Sequence, residues 1–163
     1  MRSNFDEAYY VIQQQVHSLV KQGNKNSIKI ISSETDVFVL LCSNFAANDW
    51  SSANLFMDTF MDESKLININ KSVEYNRETI PSLVALHALT GCDSVLMMFG
   101  IGKAKGLKAV KATPLKCIGK KSCAIKDVVN EGFKFVASRY GRNDTDPSKN
   151  RQAIWMMRTD GAH

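Results

Sequence analysis

The chain has 163 residues, of which 44% are hydrophobic and 23% are charged, and its formal net charge at pH 7 is +5. This length and apolar content allow one core of ordinary size and exclude wholesale disorder. The longest apolar run, Val37 to Cys42, is far too short to cross a bilayer, and the N-terminal residues lack the apolar centre of a signal peptide. We therefore expect an intracellular protein with no membrane partner.

The first predicted element is a helix from Asp6 to Gln22, because apolar residues recur there at the three- and four-residue steps of one helical face. Gly23 ends this helix. Asn4 and Glu7 have the spacing of a capping box, which would give Glu7 a purely structural role.

Two apolar segments follow, and both are interpreted as strand. Ile28 to Ile31 is rich in β-branched residues, and the apolar run from Val37 to Leu41 resumes after the polar residues 32–36. A continuous apolar strand is typical of a parallel sheet that is covered on both faces. Glu34 and Asp36 then lie just past the carboxyl end of a strand, where open α/β sheets bind their ligands.

The middle of the chain gives weaker signals. Residues 44–54 are predicted as a loop. The segment from Leu55 to Asn70 has apolar residues at helical spacing over 56–60, but residues 66–69 alternate like a short strand. The topology of residues 44–78 therefore stays open.

Helices dominate the remainder of the chain. Thr79 to Pro81 opens a helix, because Pro fits the first helical turn, and Gly91 ends it. A short helical stretch over residues 94–99 and a tight turn at residues 100–102 lead into a further helix from Lys103 to Lys111.

The helix that follows this turn is expected to face inward with Ala104, Leu107 and Val110. A final helix is predicted from Asp127 to Tyr140, and residues 141–163 are interpreted as a loosely attached tail.

The cysteines argue for free thiols. They form no Cys-x-x-Cys pair, whereas a zinc site needs closely paired ligands and a small secreted scaffold needs a denser framework. We expect free thiols in a reducing compartment at the four positions, Cys42, Cys92, Cys117 and Cys123.

Lysines are concentrated in one part of the chain. Composition alone favours a solvated helix face, but the position of this stretch directly after the glycine turn favours a phosphate-binding surface. Between Ser94 and Lys126 there is no Asp or Glu, and there are eight lysines: Lys103, Lys105, Lys108, Lys111, Lys116, Lys120, Lys121 and Lys126.

Three acids have the spacing of a metal site. Glu34 and Asp36 are two residues apart, so both carboxylates can converge on one ion, and Asp93 follows Gly91 between two predicted helices. Mg²⁺ and Mn²⁺ prefer carboxylates together with water and phosphate oxygens, as in two-metal phosphodiester hydrolysis. Taken singly, each acid is better explained as a helix cap or turn residue. Their order and the glycines that follow favour the metal site.

The segment from Gly100 to Lys103 matches the helix-hairpin-helix pattern, in which an apolar residue stands between two turn glycines. Exposed amides at the start of the next helix can hold a phosphate oxygen, and Lys103 and Lys105 add positive charge. Gly106 is a small residue that would let two helices approach closely.

Four segments in this order resemble the internal half of flap endonuclease/XPG-like nucleases, which belong to the PIN-like superfamily. The similarity is greatest to an uncharacterised animal branch associated with mobile elements, and it covers roughly residues 5–140. The segments are Asp6-Glu7-Ala8, Ser32-Ser33-Glu34-Thr35-Asp36-Val37, His87-Ala88-Leu89-Thr90-Gly91-Cys92-Asp93 and Phe99-Gly100-Ile101-Gly102-Lys103.

This resemblance implies an α/β fold of the partial PIN-like or 5′-nuclease type, with a short, mostly parallel sheet flanked by helices and a helix-hairpin-helix region after it. It divides the chain into a partial nuclease core of residues 1–93, a helical region of residues 94–140 and a loosely packed tail of residues 141–163. A nuclear location also follows from it.

The resemblance also assigns residues to the site. It makes Glu34, Asp36 and Asp93 catalytic, and it implies Mg²⁺ or Mn²⁺ held by Glu7, Glu34, Asp36 and Asp93. The expected partner is DNA or RNA with branched or single-stranded ends, bound directly or, at the glycine turn, through a monovalent cation. Its backbone would be contacted by Gly100, Gly102, Lys103, Lys105 and Lys108.

Two departures from the family pattern leave the activity open. Tyr9 stands where a second acid is expected, and Glu34 stands where the family has Asp. The family's first strand and its acid would precede this chain, which is thus expected to match the second half of a nuclease domain. The alternatives are a metal-dependent, structure-selective nuclease, a non-catalytic nucleic-acid-binding or scaffold remnant, and a protein-interaction domain.

Other conspicuous residues have simpler explanations. His17 and His87 are predicted to pack or to form hydrogen bonds, and Trp50 and Trp155 to be partly buried, with base stacking as their alternative. No Ser-His-Asp or Cys-His arrangement supports acyl-transfer chemistry.

Overall fold

A computed structural model describes residues 8–23, 26–48, 50–60, 65–91, 102–139 and 148–149. The chain divides into two compact units, Met1–Val84 and Ala85–His163. The described part contains no helix with both the length and the apolar character needed to span a membrane. The predicted helix over residues 94–99 lies outside the described residues, as does the predicted tail of residues 141–163 apart from residues 148–149.

The first unit contains a small sheet with helices on one side. Its elements are α1 (Ala8–Lys21), β1 (Ile28–Ile31), α2 (Thr35–Ala47), a short 3₁₀ helix (Trp50–Ser52), β2 (Leu55–Thr59), β3 (Lys65–Asn68) and α3 (Ile69–Tyr75), followed by the first residues of α4 (Ile80–Leu89). The second unit contains the end of α4, then α5 (Lys103–Ala112) and α6 (Ile125–Arg139).

The three strands are ordered β1-β2-β3. β1 and β2 are parallel, with Ile28 opposite Leu55, and β2 and β3 are antiparallel, with Met57 opposite Ile67. A parallel connection needs a crossover, which α2 supplies. The expectation of a short sheet flanked by helices in an α/β fold is confirmed at this level.

The core of the first unit lies against one face of the sheet. Ile28 and Ile30 of β1 alternate with exposed residues, and Leu55 and Met57 occupy the matching positions on β2. Because side chains alternate along a strand, these four residues share one face. Buried residues of the helices complete this core: Val16 of α1, Val37, Leu41 and Cys42 of α2, and Ile69 and Val73 of α3.

The prediction of strand over Val37 to Leu41 is wrong, because this run lies inside α2. Glu34 has extended backbone angles at the N-cap, and its carbonyl accepts the N–H of Phe38 at 3.3 Å, which starts the helix. Buried residues occur on several sides of α2, so its sequence shows little helical periodicity. The predicted loop over residues 44–54 is wrong for the same region, since α2 continues to Ala47 and a 3₁₀ helix follows.

The ambiguity over residues 55–70 is resolved in favour of strands. The alternation expected near Leu66 corresponds to β3, and the apparent helical spacing over residues 56–60 falls mostly in β2. α3 begins directly after β3, where the side chain of Asn68 accepts the N–H of Lys71 at 2.9 Å. The neighbouring Asn70 donates to the carbonyl of Ala53 at 2.7 Å, which ties α3 to the segment before β2.

The helices predicted near Asp6–Gln22, Thr79–Gly91, Lys103–Lys111 and Asp127–Tyr140 are confirmed as α1, α4, α5 and α6 over the described residues. In the second unit, the end of α4 packs with α5 and α6 around a compact apolar cluster. Phe135 of α6 is its largest fully buried side chain, together with Ala85, Leu86, Ala109, Val110 and Leu115.

The expected inward face of α5 is partly wrong. Val110 is buried as predicted, but Ala104 and Leu107 are exposed, and Gly106 and Ala109 point inward instead. A Cβ atom added to Gly106 would lie 2.7 Å from Leu86 Cδ1 and 2.8 Å from Thr90 Cγ2. The close approach of α5 to the end of α4 therefore decides which side of α5 is buried.

Candidate functional site

Glu34 and Asp36 lie together at the start of α2, directly beyond the carboxyl end of β1. Glu34 is the exposed N-cap residue, and its carboxylate makes no capping hydrogen bond. Asp36 is half-buried in the first helical turn, where the positive end of the helix dipole stabilises a carboxylate. The structure thus places these two predicted ligands at one helix start, and the convergence of their carboxylates on one ion stays a prediction.

Neighbouring groups shape this edge of the first unit. Ser32 Oγ accepts the N–H of Glu34 at 3.1 Å, and the N–H of Ser32 donates to the carbonyl of Asp58 at 3.0 Å. The Asp58 carboxylate, at the end of β2, forms an ion pair with Lys29 at 2.5 Å. The Asp58 carboxylate is therefore paired with a lysine of its own chain. Glu34 and Asp36 are the two acids at this edge that the sequence predicted as metal ligands.

Only part of the predicted acid cluster can be tested geometrically. Glu7 and Asp93 lie outside the described residues. Within the described ranges, no three His, Cys, Asp or Glu side chains are grouped so that they could hold a metal ion. Glu34 and Asp36 supply hard oxygen donors of the kind that Mg²⁺ and Mn²⁺ prefer, but two carboxylates are an incomplete protein ligand set for a two-metal site.

The predicted backbone-binding residues lie in the second unit, except that Gly100 is outside the described residues. Gly102 is the N-cap of α5 and has extended backbone angles, and its carbonyl accepts the N–H of Gly106 at 3.0 Å. The first N–H groups of a helix have no acceptor within it, so they can hydrogen-bond to an anion. Lys103 and Lys105 extend from this first turn and are exposed.

Lysines cover the solvent side of α5. Gly106, Ala109 and Val110 are buried, and every lysine of the helix lies on its remaining, exposed surface. Further exposed lysines follow in the loop after α5 and at the start of α6. The surface, which we call the lysine surface, comprises Lys103, Lys105, Lys108, Lys111, Lys116, Lys120, Lys121 and Lys126.

Glu131 organises the loop between α5 and α6, and sequence reasoning missed it. Its carboxylate accepts the N–H groups of Lys116, Cys117 and Ile118, the last two at 2.8 Å each. Partial burial alone would raise the pKa of Glu131, but these three donors and the nearby charge of Lys120 outweigh it and lower the pKa. A signal was present, because Asp127 and Glu131 are the two acids among residues 94–139.

The three hydrogen bonds from the loop to Glu131, which we call the Glu131 clamp, affect what the loop can bind. Three successive amides converge on one anionic group, which is the arrangement of an anion-binding nest. Here the anion is the chain's own carboxylate, so Glu131 neutralises the nest and fixes the loop backbone. The side chains of Lys116 and Lys120 are exposed and can meet an external anion.

The side chains of His17 and Trp50 are hydrogen-bond partners in the first unit. Trp50 Nε1 donates to His17 Nδ1 at 3.2 Å, and Trp50 is buried. The prediction that His17 forms a hydrogen bond is confirmed, and the burial of Trp50 favours its structural role over base stacking. Trp155 lies outside the described residues. A cavity of about 380 Å³ is lined in part by these two side chains and by Tyr9, Gln13 and Asn44.

Comparisons of this chain with protein-family models, with curated proteins and with solved structures found no match.

Proposed function

We propose that this chain is a nucleic-acid-processing module whose second unit binds the sugar-phosphate backbone of DNA or RNA. The observation that supports the proposal is the lysine surface. It combines exposed lysines on α5 with the start of that helix, where the N-cap residue Gly102 makes no side-chain cap hydrogen bond. In the same region the Glu131 carboxylate accepts backbone N–H groups of the loop between α5 and α6.

The binding is electrostatic and independent of sequence. Lysine side chains that neutralise phosphates release condensed counterions, and this release supplies most of the free energy of non-specific binding. Lys103, Lys105 and Lys108 supply three such contacts beside the amides of the first turn of α5. Phosphate contacts position a protein on nucleic acid but carry no base specificity. We extend the proposal to nucleic acid with branched or single-stranded ends, because the sequence resembles flap endonucleases.

The test is a salt titration of DNA binding with a charge-matched control. In the test variant, Lys103, Lys105 and Lys108 are replaced together by Gln. In the control, the exposed lysines Lys21, Lys65 and Lys71 of the first unit are replaced by Gln, which changes the net charge equally. Binding to a labelled flap and to a labelled duplex is measured by fluorescence anisotropy from about 50 to 200 mM salt.

We expect the test variant to lose about 2 to 3 units from the slope of log K against log salt, because each phosphate contact contributes about 0.9. The control should keep the slope of the unmodified chain. Equal losses in both variants would show that net charge alone attracts DNA and would refute a binding surface on α5. Absence of any binding at low salt would refute the nucleic-acid function altogether.

A second candidate function is metal-dependent phosphodiester hydrolysis, favoured by the position of Glu34 and Asp36 beyond the carboxyl end of β1. The Glu34 carboxylate is exposed and is not used as a helix cap, so it is available as a ligand. Bound Mg²⁺ or Mn²⁺ would activate water and stabilise the leaving oxygen. Glu34 and Asp36 would hold the ion, and the resemblance adds Glu7 and Asp93 to the same role.

Cleavage of labelled flap, hairpin and single-stranded DNA with Mg²⁺, with Mn²⁺ and with chelator tests this candidate. Metal-dependent cutting should fall at least about 100-fold in Asp36→Asn if this carboxylate holds the ion. Glu74→Gln, an exposed acid on α3, is the matched control and should cut normally. Binding without cutting under every metal condition would refute the nuclease and leave the binding module.

A further inference from the structure

Two cysteine thiols meet in the loop between α5 and α6. Cys117 and Cys123 are six residues apart, both are half-buried, and their side chains share a hydrogen bond. The backbone explains this proximity. The N–H of Lys120 donates to the carbonyl of Cys117 at 3.0 Å, and the N–H of Cys123 donates to the carbonyl of Lys120 at 3.3 Å. Two successive turns therefore fold the segment back on itself.

The turn geometry depends on a glycine between the cysteines. Gly119 has a φ of 83°, in the left-handed region that residues with a side chain rarely adopt. This conformation reverses the chain after Cys117 and directs it back toward the start of α6.

One end of the loop is bound to α6, and the other end leads directly into it. The N–H of Cys117 donates to the Glu131 carboxylate at 2.8 Å, as part of the three-amide clamp. Cys123 lies two residues before α6, where the N–H of Asp127 donates to the carbonyl of Ala124 at 3.0 Å. The backbone at Cys117 is thus held by α6, and Cys123 is joined to the same helix through Ala124. Such anchoring reduces the rearrangement needed to join them, because a disulfide requires close and correctly oriented Cβ atoms.

We propose that Cys117 and Cys123 form a reversible intramolecular disulfide by exchange with a low-molecular-weight disulfide such as glutathione disulfide. The thiolate of one cysteine attacks a sulfur of the oxidant, breaks its S–S bond and releases one glutathione thiolate, which takes up a proton. The second cysteine then attacks the protein sulfur of the mixed disulfide and releases the second glutathione. The two protein thiols are oxidised, and one glutathione disulfide is reduced to two thiols.

The surroundings of Cys117 slow its exchange with disulfides at neutral pH. The side-chain hydrogen bond that the Cys117 thiol makes with Cys123, burial, and the nearby Cys123, Glu131 and Asp127 raise the pKa of Cys117 to about 11. Little Cys117 thiolate exists at neutral pH, so exchange through this sulfur is slow until oxidant accumulates. Cys42 offers a contrast, because it is buried in the core of the first unit and burial raises its pKa to about 12. We expect Cys42 to take no part in the exchange.

Intact-mass analysis and peptide mapping test the proposal. The purified full chain is incubated with glutathione disulfide, quenched with acid and digested with trypsin, which cleaves at Lys120 and Lys121 between the cysteines. We expect a mass loss of about 2 Da and a linked pair of peptides that contain Cys117 and Cys123. Cys42→Ser should give the same product. Cys123→Ser should instead accumulate a glutathione adduct on Cys117.

The contribution of the fold is measured separately by equilibrium against reduced and oxidised glutathione. The folded chain should hold the disulfide about tenfold or more tightly than the chain in concentrated urea, because the fold brings the thiols together beforehand. An equal equilibrium constant in both conditions would refute the proposed preorganisation. A product that joins either cysteine to Cys42 or Cys92, or no protein disulfide at all, would also overturn the proposal. None of these readouts involves nucleic acid, so they are independent of the proposed function.

Discussion

The two units of this chain differ in how they hold their charged residues. In the first unit, β1 and β2 present large apolar side chains to α1, α2 and α3. Glu34 and Asp36 lie beyond the end of β1, at the start of α2. In the second unit, the described core is smaller, and the lysine surface depends on one close helix contact at Gly106 and on the Glu131 clamp. The described core of the first unit is the larger of the two, and the backbone at Glu34 is held by a further contact, from its N–H to Ser32 Oγ. The second unit holds the loop of the lysine surface by three N–H contacts to a single carboxylate.

The strongest test of the small core is Phe135→Ala. Phe135 is fully buried, with 0% of its surface exposed, whereas Phe133 on the same helix is 39% exposed. Removing the buried ring should lower the free energy of unfolding by about 3–5 kcal/mol, through lost transfer energy and the cavity left behind. Urea unfolding followed by circular dichroism measures this loss. Phe133→Ala is the matched control and should cost less than half as much.

The corresponding change in the first unit is Leu55→Ala. Leu55 is 0% exposed on β2 and Leu66 is 52% exposed on β3, so the two leucines form a matched pair. We expect a loss of about 2–5 kcal/mol for Leu55→Ala and little change for Leu66→Ala. The buried fluorophore Trp50 reports unfolding of this unit most directly in a Trp155→Phe background. Similar losses from both leucines would contradict the assignment of the core to one face of the sheet.

Glu131→Gln should have a smaller effect that depends on pH. The variant replaces a charged acceptor of three N–H groups by a neutral one, and we expect a loss of about 1–3 kcal/mol at pH 7. Because the pKa of Glu131 is lowered in the folded state, its contribution is fully present above its unfolded pKa of 4.5 and is lost as pH falls through the folded pKa. Unfolding curves from pH 3 to 7 should therefore converge at the acid end.

The control for this change is Glu74→Gln, which alters an exposed acid on α3. It should have almost no effect at any pH in the same range. A difference between the Glu131 variant and the unmodified chain that stays constant down to pH 3 would contradict a clamp that relies on the ionised carboxylate.

The smallest expected effect comes from a pair of helix glycines in the second unit. Gly106→Ala should cost about 1–2 kcal/mol, because the gain in helix propensity is outweighed by overlap with Leu86 and Thr90. Gly132→Ala should stabilise by about 0.5–1 kcal/mol, since the nearest atom to its new Cβ is 4.0 Å away. Thermal melts of the two variants should therefore shift in opposite directions. Stabilisation by both would contradict the close approach of α5 to α4.

Local signals in the sequence were informative wherever one interaction dominated. The apolar period of α1, the Pro81 start of α4 and the β-branched run of β1 each predicted an element correctly. The run from Val37 to Leu41 failed because an apolar segment buried on several sides has no clear period, so helix and strand look alike. The inward face of α5 failed because the small residues Gly106 and Ala109 are buried by close helix packing, which hydrophobicity does not report.

The sequence by itself determined the main helices, the first strand, the position of Glu34 and Asp36 after that strand, and the concentration of lysines behind Gly102. These features depend on neighbours in the chain, so a local pattern contains them. Only the tertiary structure decided which side of α5 is buried, that Glu131 binds three amides of the preceding loop, and that Cys117 meets Cys123. Each of these depends on a backbone path through several turns, and a contact between residues separated in sequence has no local signature until that path is known.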